Sequence, residues 1–256
     1  MTCEILTLGS VPADLSTPVR AVFLHGYACS SEDWLGVVDE LGPGRYLLVD
    51  FPGHGSAEAM RSVGFLSLVE QTASLLDLLP GPTTLAGHSM GGMVAIAVAA
   101  SHRVVISALV LADAFPDLAT IVEVFGGAED DADPFGYGSV IDRQTPSDVQ
   151  ARVRASMTKG VRTAGTELHA ELMALDLRDS LQDIDVPTLV MVGDRRGIPP
   201  MSATEARVSL GFDALPNATV QLVSSHHFIM LERPQEVARQ TEKFLLDQEI
   251  TVKGKK

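Results

Sequence analysis

Short apolar runs alternate with stretches of helical periodicity along almost the whole chain. Glu4 to Leu8 fits an edge strand, and a turn-rich polar connection, Ser10 to Pro18, leads into a buried strand over Arg20 to Leu24. Ser30 with Asp33 three residues on forms a capping-box pattern. Trp34, Val37, Val38 and Leu41 then share one helical face until Gly42-Pro43-Gly44 ends it. Arg45 to Val49 is the next apolar strand, closed by Asp50-Phe51-Pro52-Gly53-His54-Gly55-Ser56, a turn with too many special backbone positions for a helix. Phe65, Leu68, Val69, Thr72, Leu75, Leu76 and Leu79 repeat at helical spacing as far as Pro80-Gly81-Pro82. Strands are predicted again over Thr83 to Ala86, Ala108 to Ala112, Thr188 to Val192 and Thr219 to Val223. A small-residue helix spans Met93 to Ala100, Ser202 with Glu205 caps another, and Pro234 opens a last one that buries Val237, Thr241, Phe244 and Leu245.

This alternation predicts an α/β fold: a mostly parallel central sheet with helices on both faces. One stretch breaks it. Phe115 to Asp185 holds an acidic loop at Glu129 to Asp133 and helical periods over Val149 to Met157 and Glu167 to Leu177, with no convincing strand. The expected organisation is therefore a core from residues 1–114 and 186–256 with a helical insertion over 115–185.

At 256 residues and 46% hydrophobic content, the chain can bury a sizeable core. A net charge of −14 disfavours nucleic acid and anionic membrane surfaces as partners. With no apolar run long enough to span a bilayer and no signal-like N-terminus, a cytoplasmic protein is expected. Cys3 and Cys29 read as reduced thiols, and Lys253-Gly254-Lys255-Lys256 as a tail without function.

The strand ending at Ala86 runs into Gly87-His88-Ser89-Met90-Gly91-Gly92, and a helix leaves it. That is the context of a G-x-S-x-G nucleophile elbow, where a strained turn lifts a serine hydroxyl above a sheet. Gly87 and Gly91 let strand and helix pass close to each other. The helix N-terminus points its dipole at Ser89, which makes the Met90 N–H a natural oxyanion donor.

These stretches together resemble the α/β-hydrolase superfamily: Leu24-His25-Gly26-Tyr27, the turn from Asp50 to Ser56, Gly87 to Gly92, Leu109 to Asp113, and His227-Phe228. The resemblance implies a helical cap inserted after the sixth strand of that family's standard topology. It makes Ser89 the nucleophile, His227 the general base and the Tyr27 N–H the second oxyanion donor. His25 would orient the oxyanion loop, and His88 and His54 would be structural. His226 stands where the family usually has glycine and reads as a solvent or loop residue, while His102 and His169 look incidental.

The triad acid departs from the family's pattern, because the usual Gly-x-x-Asp reads Gly193-Asp194-Arg195-Arg196. Asp113, at the end of its strand, is the expected replacement, with Asp194 as the alternative. The implied activity is cleavage of a small-to-medium apolar ester or lactone through an acyl-enzyme, with no metal or organic cofactor. Phe125, Phe135, Met157 and Leu172, with Leu168, Met173 and Leu175, are candidates for an apolar pocket. C–C bond hydrolases, amidases and perhydrolases share this frame. Arg196 in the acid position raises a different alternative, a ligand-binding protein with little turnover. Oligomeric state is left open.

Overall fold

The computed structural model describes residues 2–57, 63–101, 106–125, 145–164, 166–194 and 201–253. Seven strands form one sheet: β1 (Thr2–Thr7), β2 (Ala21–Leu24), β3 (Arg45–Asp50), β4 (Thr83–His88), β5 (Ile106–Ala112), β6 (Thr188–Gly193) and β7 (Ala218–Val223). Their order is β1-β3-β2-β4-β5-β6-β7, and every neighbouring pair is parallel. The four-to-seven-residue apolar runs follow from this arrangement. β2, β3, β4 and β6 are buried at every position because helices cover both faces, whereas the edge strand β1 is mostly exposed and the edge strand β7 mostly half-buried.

Side chains alternate between two cores. Val22 and Leu24 face one cluster, with α2 (Phe65–Asp77) and α3 (Met90–Ala100). Ala21 and Phe23 face the other, with α1 (Leu35–Glu40) and the C-terminal helix α9 (Pro234–Lys253). α3 is apolar around its whole circumference because it lies between the sheet and α2.

The Ser30–Asp33 capping box forms, with the Ser30 N–H donating to the Asp33 carboxylate at 3.1 Å, but it opens a 3₁₀ turn, Ser31–Trp34, before α1 begins. Trp34 Nε1 donates to the Leu24 carbonyl and ties that turn to β2.

Between β5 and β6 lie α4 (Leu118–Phe125), α5 (Ser147–Ala164), α6 (Thr166–Ala174) and a 3₁₀ turn, Arg178–Asp183. The helical period expected as far as Leu177 stops at Ala174. There the chain is captured by the segment between β5 and α4, with an antiparallel bridge between Asp117 and Asp176 and the Leu177 N–H on the Pro116 carbonyl. α7 (Ala203–Ser209) starts at Ser202, whose capping box with Glu205 is present. The short α8 (Ile229–Glu232) precedes α9. No helix among the described residues is long and apolar enough to cross a membrane.

Candidate active site

Ser89 stands between β4 and α3 at φ 50° and ψ −121°, a conformation that L-residues rarely adopt. Its neighbours explain how the turn is held. A Cβ on Gly91 would lie 2.5 Å from the His25 carbonyl oxygen, and one on Gly87 would collide with the Gly91 carbonyl. α3 therefore starts pressed against the end of β2. As the first residue of α3, Met90 presents an N–H with no helical carbonyl to receive it.

The loop after β2 lies beside this turn, since a Cβ on Gly26 would be 3.2 Å from Ser89 Cβ and 2.8 Å from His88 Nδ1. His25 holds the loop from beneath. Its Nε2 accepts the Phe51 N–H at 3.0 Å, so the proton sits on Nδ1, which donates to the Gly26 carbonyl at 2.7 Å. Burial pushes the His25 imidazole down to about 3, which keeps it in this neutral form. Tyr27 follows, and the Cys29 N–H closes the turn on the Gly26 carbonyl.

The turn after β3 supports this loop from the other side. The Asp50 carboxylate accepts from the Ser31 N–H at 2.7 Å, from the Ser56 N–H at 2.8 Å and from the Ser56 hydroxyl at 2.7 Å. Gly55, at φ +52°, packs directly on that carboxylate and leaves no room for a Cβ. His54 is buried and bonds the Pro52 carbonyl through Nδ1, with burial lowering its pKa.

His227 and Asp113 are brought together. His227 Nδ1 donates to Asp113 Oδ2 at 2.6 Å, and the carboxylate is fully buried. The aim of Asp113 comes from the sheet. The β5–β6 ladder ends at Ala112 opposite Met191, and Asp113 turns at φ +46° with its N–H on the Met191 carbonyl. Its Oδ1 then accepts the Gly193 N–H at 2.8 Å and so continues the ladder with a side chain. Asp194 is held differently: its N–H bonds the Val223 carbonyl, and its buried Oδ1 meets no hydrogen-bond partner among the described residues. Arg195 and Arg196 lie outside the described residues.

His88 is buried at the foot of the His227 loop. Its Nε2 donates to the His227 carbonyl at 3.0 Å, and the two rings lie 4.6 Å apart. Burial holds its pKa well below the usual histidine range, so it stays neutral beside any charge on His227.

Two histidines do more than their sequence positions suggested. His226 is not a solvent residue. It is buried against Glu232, with Nδ1 3.3 Å from Oε2 and its own N–H 3.0 Å from Oε1. The readable signal was the carboxylate six residues later. His169 on α6 is half-buried, with its ring 5.4 Å from that of Tyr27, which in turn lies 5.9 Å from His54. Nothing local in the sequence marks that contact.

Of the pocket candidates, Leu172 and Leu168 are buried in the α2–α3 core cluster and Leu175 packs against it, while Met173 is 41% exposed. Packing of α6 onto α2 claims the first two. Phe135 lies outside the described residues, as do the side chains of Phe125 and Met157. Among the described residues no group of three or more His, Cys, Asp or Glu side chains is placed to hold a metal ion.

The sequence and the fold have known counterparts. A pimeloyl-[acyl-carrier protein] methyl ester esterase of Nitrosomonas europaea is 33% identical over 205 residues, covering 72% of this chain and 80% of its own. MenH from S. aureus superposes with a TM-score of 0.72 at 22% identity, covering 93% and 97% of the two chains. The enol-lactonase from Burkholderia xenovorans LB400 does so with 0.70 at 21% identity, covering 92% and 94%. The alpha/beta hydrolase family pattern matches residues 21–240, and the chain belongs to that family.

Proposed function

We propose that this protein is a serine hydrolase of carboxylic esters, acting through an acyl-enzyme on Ser89. The observation that carries the reading is the 2.6 Å bond from His227 Nδ1 to a buried Asp113. With the proton fixed on Nδ1, Nε2 is left bare to accept the Ser89 proton as Oγ attacks the carbonyl carbon. Asp113 then stabilises the imidazolium, and the N–H groups of Met90 and Tyr27 receive the developing oxyanion. His227 returns the proton to the leaving alkoxide. Water, activated by the same imidazole, releases the acid and restores Ser89.

In this reading α4, α5 and α6 act as a cap, with His169 of α6 against the Tyr27 ring beside the centre. The relative named as a methyl ester esterase makes methyl esters of acyl chains the first substrates to try. Lactones share the same attack on a carbonyl, with the leaving oxygen kept in the ring. The carboxylate on His227 favours this reading over a non-catalytic binding protein, the alternative raised by Arg196.

A fluorophosphonate probe should label Ser89, and Ser89→Ala should abolish both labelling and turnover on a panel of methyl esters, p-nitrophenyl esters and lactones of varied acyl length. Short and medium acyl chains should be preferred over emulsified long-chain triglyceride. Labelling elsewhere, or unchanged turnover in the variant, would overturn the assignment.

A further inference from the structure

The loop that carries His227 is tied to the cap through the residue beside it. Thr145, buried just before α5, places Oγ1 3.3 Å from His226 Nδ1. The same nitrogen lies 3.3 Å from Glu232 Oε2, and the His226 N–H is 3.0 Å from Glu232 Oε1. A carboxylate only accepts, so Nδ1 carries the proton and shares it between Glu232 and the Thr145 hydroxyl. The Glu232 side chain is fully buried and that of His226 is 5% exposed, so these bonds are shielded from competing water.

The contact extends into α5. Gln150 Nε2 donates to the Thr145 carbonyl at 2.7 Å, and Val149 and Val153 pack in the same apolar cluster as Phe228, Ile229 and Met230. One turn further, Arg152 reaches the buried Asp33 carboxylate at 3.1 Å. The N-terminal part of α5 thus rests on the segment that presents the catalytic base. A glycine at position 226 would leave Thr145 and Glu232 with no group between them.

We propose that His226 is a positioning residue that fixes the start of α5 to the His227 loop and thereby sets how large an acyl group the cap admits. This rests on the esterase reading for its kinetic consequence, while its structural consequence can be measured without turnover. The substitutions are His226→Leu, which keeps bulk and removes the donor; His226→Asn, which puts an amide N–H near the Nδ1 position; and Thr145→Val, which keeps shape and removes the hydroxyl.

Hydrogen exchange of the amides of residues 147–156 should speed up by about ten-fold in His226→Leu, as expected for loss of a buried hydrogen bond to a charged group. It should rise by a smaller factor in Thr145→Val, return toward wild type in His226→Asn, and be no faster in the Leu/Val double variant than in His226→Leu alone. On p-nitrophenyl acetate and p-nitrophenyl octanoate, His226→Leu should change KM for the longer ester by about five-fold while kcat for acetate stays within about two-fold.

Unchanged exchange in both single variants, or fully additive effects in the double variant, would overturn the proposal. So would an equal loss of kcat on both esters with KM unchanged, which would place the effect on His227 alone. Should His226→Leu fail to fold, Thr145→Val decides alone: no increase in exchange rejects the strut. A wild-type protein that hydrolyses no ester would sink the esterase reading, while the exchange data would still test the strut.

Discussion

Replacing Asp113 by Asn alters one atom and separates orientation from charge. Asp113 offers two buried acceptor oxygens, one to His227 Nδ1 and one to the Gly193 N–H. Asparagine has only one. If its oxygen stays on Gly193, the NH₂ faces His227, whose Nδ1 must then be bare, and the proton moves to Nε2, the atom required to accept from Ser89. The flipped amide sets its NH₂ against the Gly193 N–H and leaves buried donors unpaired, at about 1–3 kcal/mol. The unproductive tautomer therefore dominates by about one to two orders of magnitude. Added to the lost stabilisation of the imidazolium, kcat should fall on the order of 10³ to 10⁴. Steady-state hydrolysis of p-nitrophenyl butyrate measures this, with circular dichroism confirming the fold. Asp194→Asn should alter kcat by about two-fold or less, since that side chain makes no bond to His227. An Asp113→Asn enzyme that keeps a tenth of its activity, or a larger loss in Asp194→Asn, would refute the reasoning.

Three further outcomes follow from the same geometry. Ser89→Gly should melt at a higher temperature than Ser89→Ala, because relief of about 1–3 kcal/mol of strain at φ 50° exceeds the roughly 0.5–1 kcal/mol entropic cost of glycine; equal melting temperatures would count against strain in the elbow. Gly92→Ala should cost about 1–3 kcal/mol, since its Cβ would run into Ala114 Cβ, and adding Ala114→Gly should recover part of that loss; denaturant titration that shows no recovery would place the clash elsewhere. His25, His54 and His88 all have pKa values lowered by burial, so the unfolded chain binds protons that the folded one does not. Their contribution is complete above about pH 6.5 and is lost as pH falls below it, at about 1.4 kcal/mol per pH unit for each histidine. The urea midpoint should drop between pH 7 and pH 4.5, and a flat midpoint would show that these rings are protonated in the folded state.

What could be read from the sequence depended on whether the determinant was local. β2, β3, β4 and β6 were legible because burial on both faces demands uninterrupted apolar runs. The elbow was legible because its glycines answer to contacts within a few residues and to the adjacent strand end. The meeting of His227 with Asp113 could only be narrowed to two carboxylates. It turns on a left-handed residue after β5 and on the register that sets Gly193 beside it, 80 positions away. His226 lies in a loop as its position suggests, but its burial is not legible for a related reason: Thr145 belongs to another part of the chain, and no periodicity reports a contact across 81 residues. The end of α6 was placed too late because Leu175 to Leu177 keep an apolar rhythm while the Pro116 carbonyl and Asp117 draw the backbone out of the helix.

The adjacency of β5 and β6 has a consequence for how such a chain can diversify. The two strands pair directly, Leu109 with Thr188 through Ala112 with Met191, although the whole segment carrying α4, α5 and α6 intervenes. Closing an excursion between fixed ends costs free energy only logarithmically in its length, about 0.6 kcal/mol for each doubling. Chain-closure entropy therefore sets little limit on the length of that segment, and what ties it down is packing, with Leu168 and Leu172 in one core and Val149 and Val153 in the other. Asp113 and Gly193, which flank the excursion, also bond each other, so the Asp113 side chain is held by the sheet itself. Under the proposed function, changes in the loops of that segment are a route to new substrate range that leaves the Asp113–Gly193 bond in place.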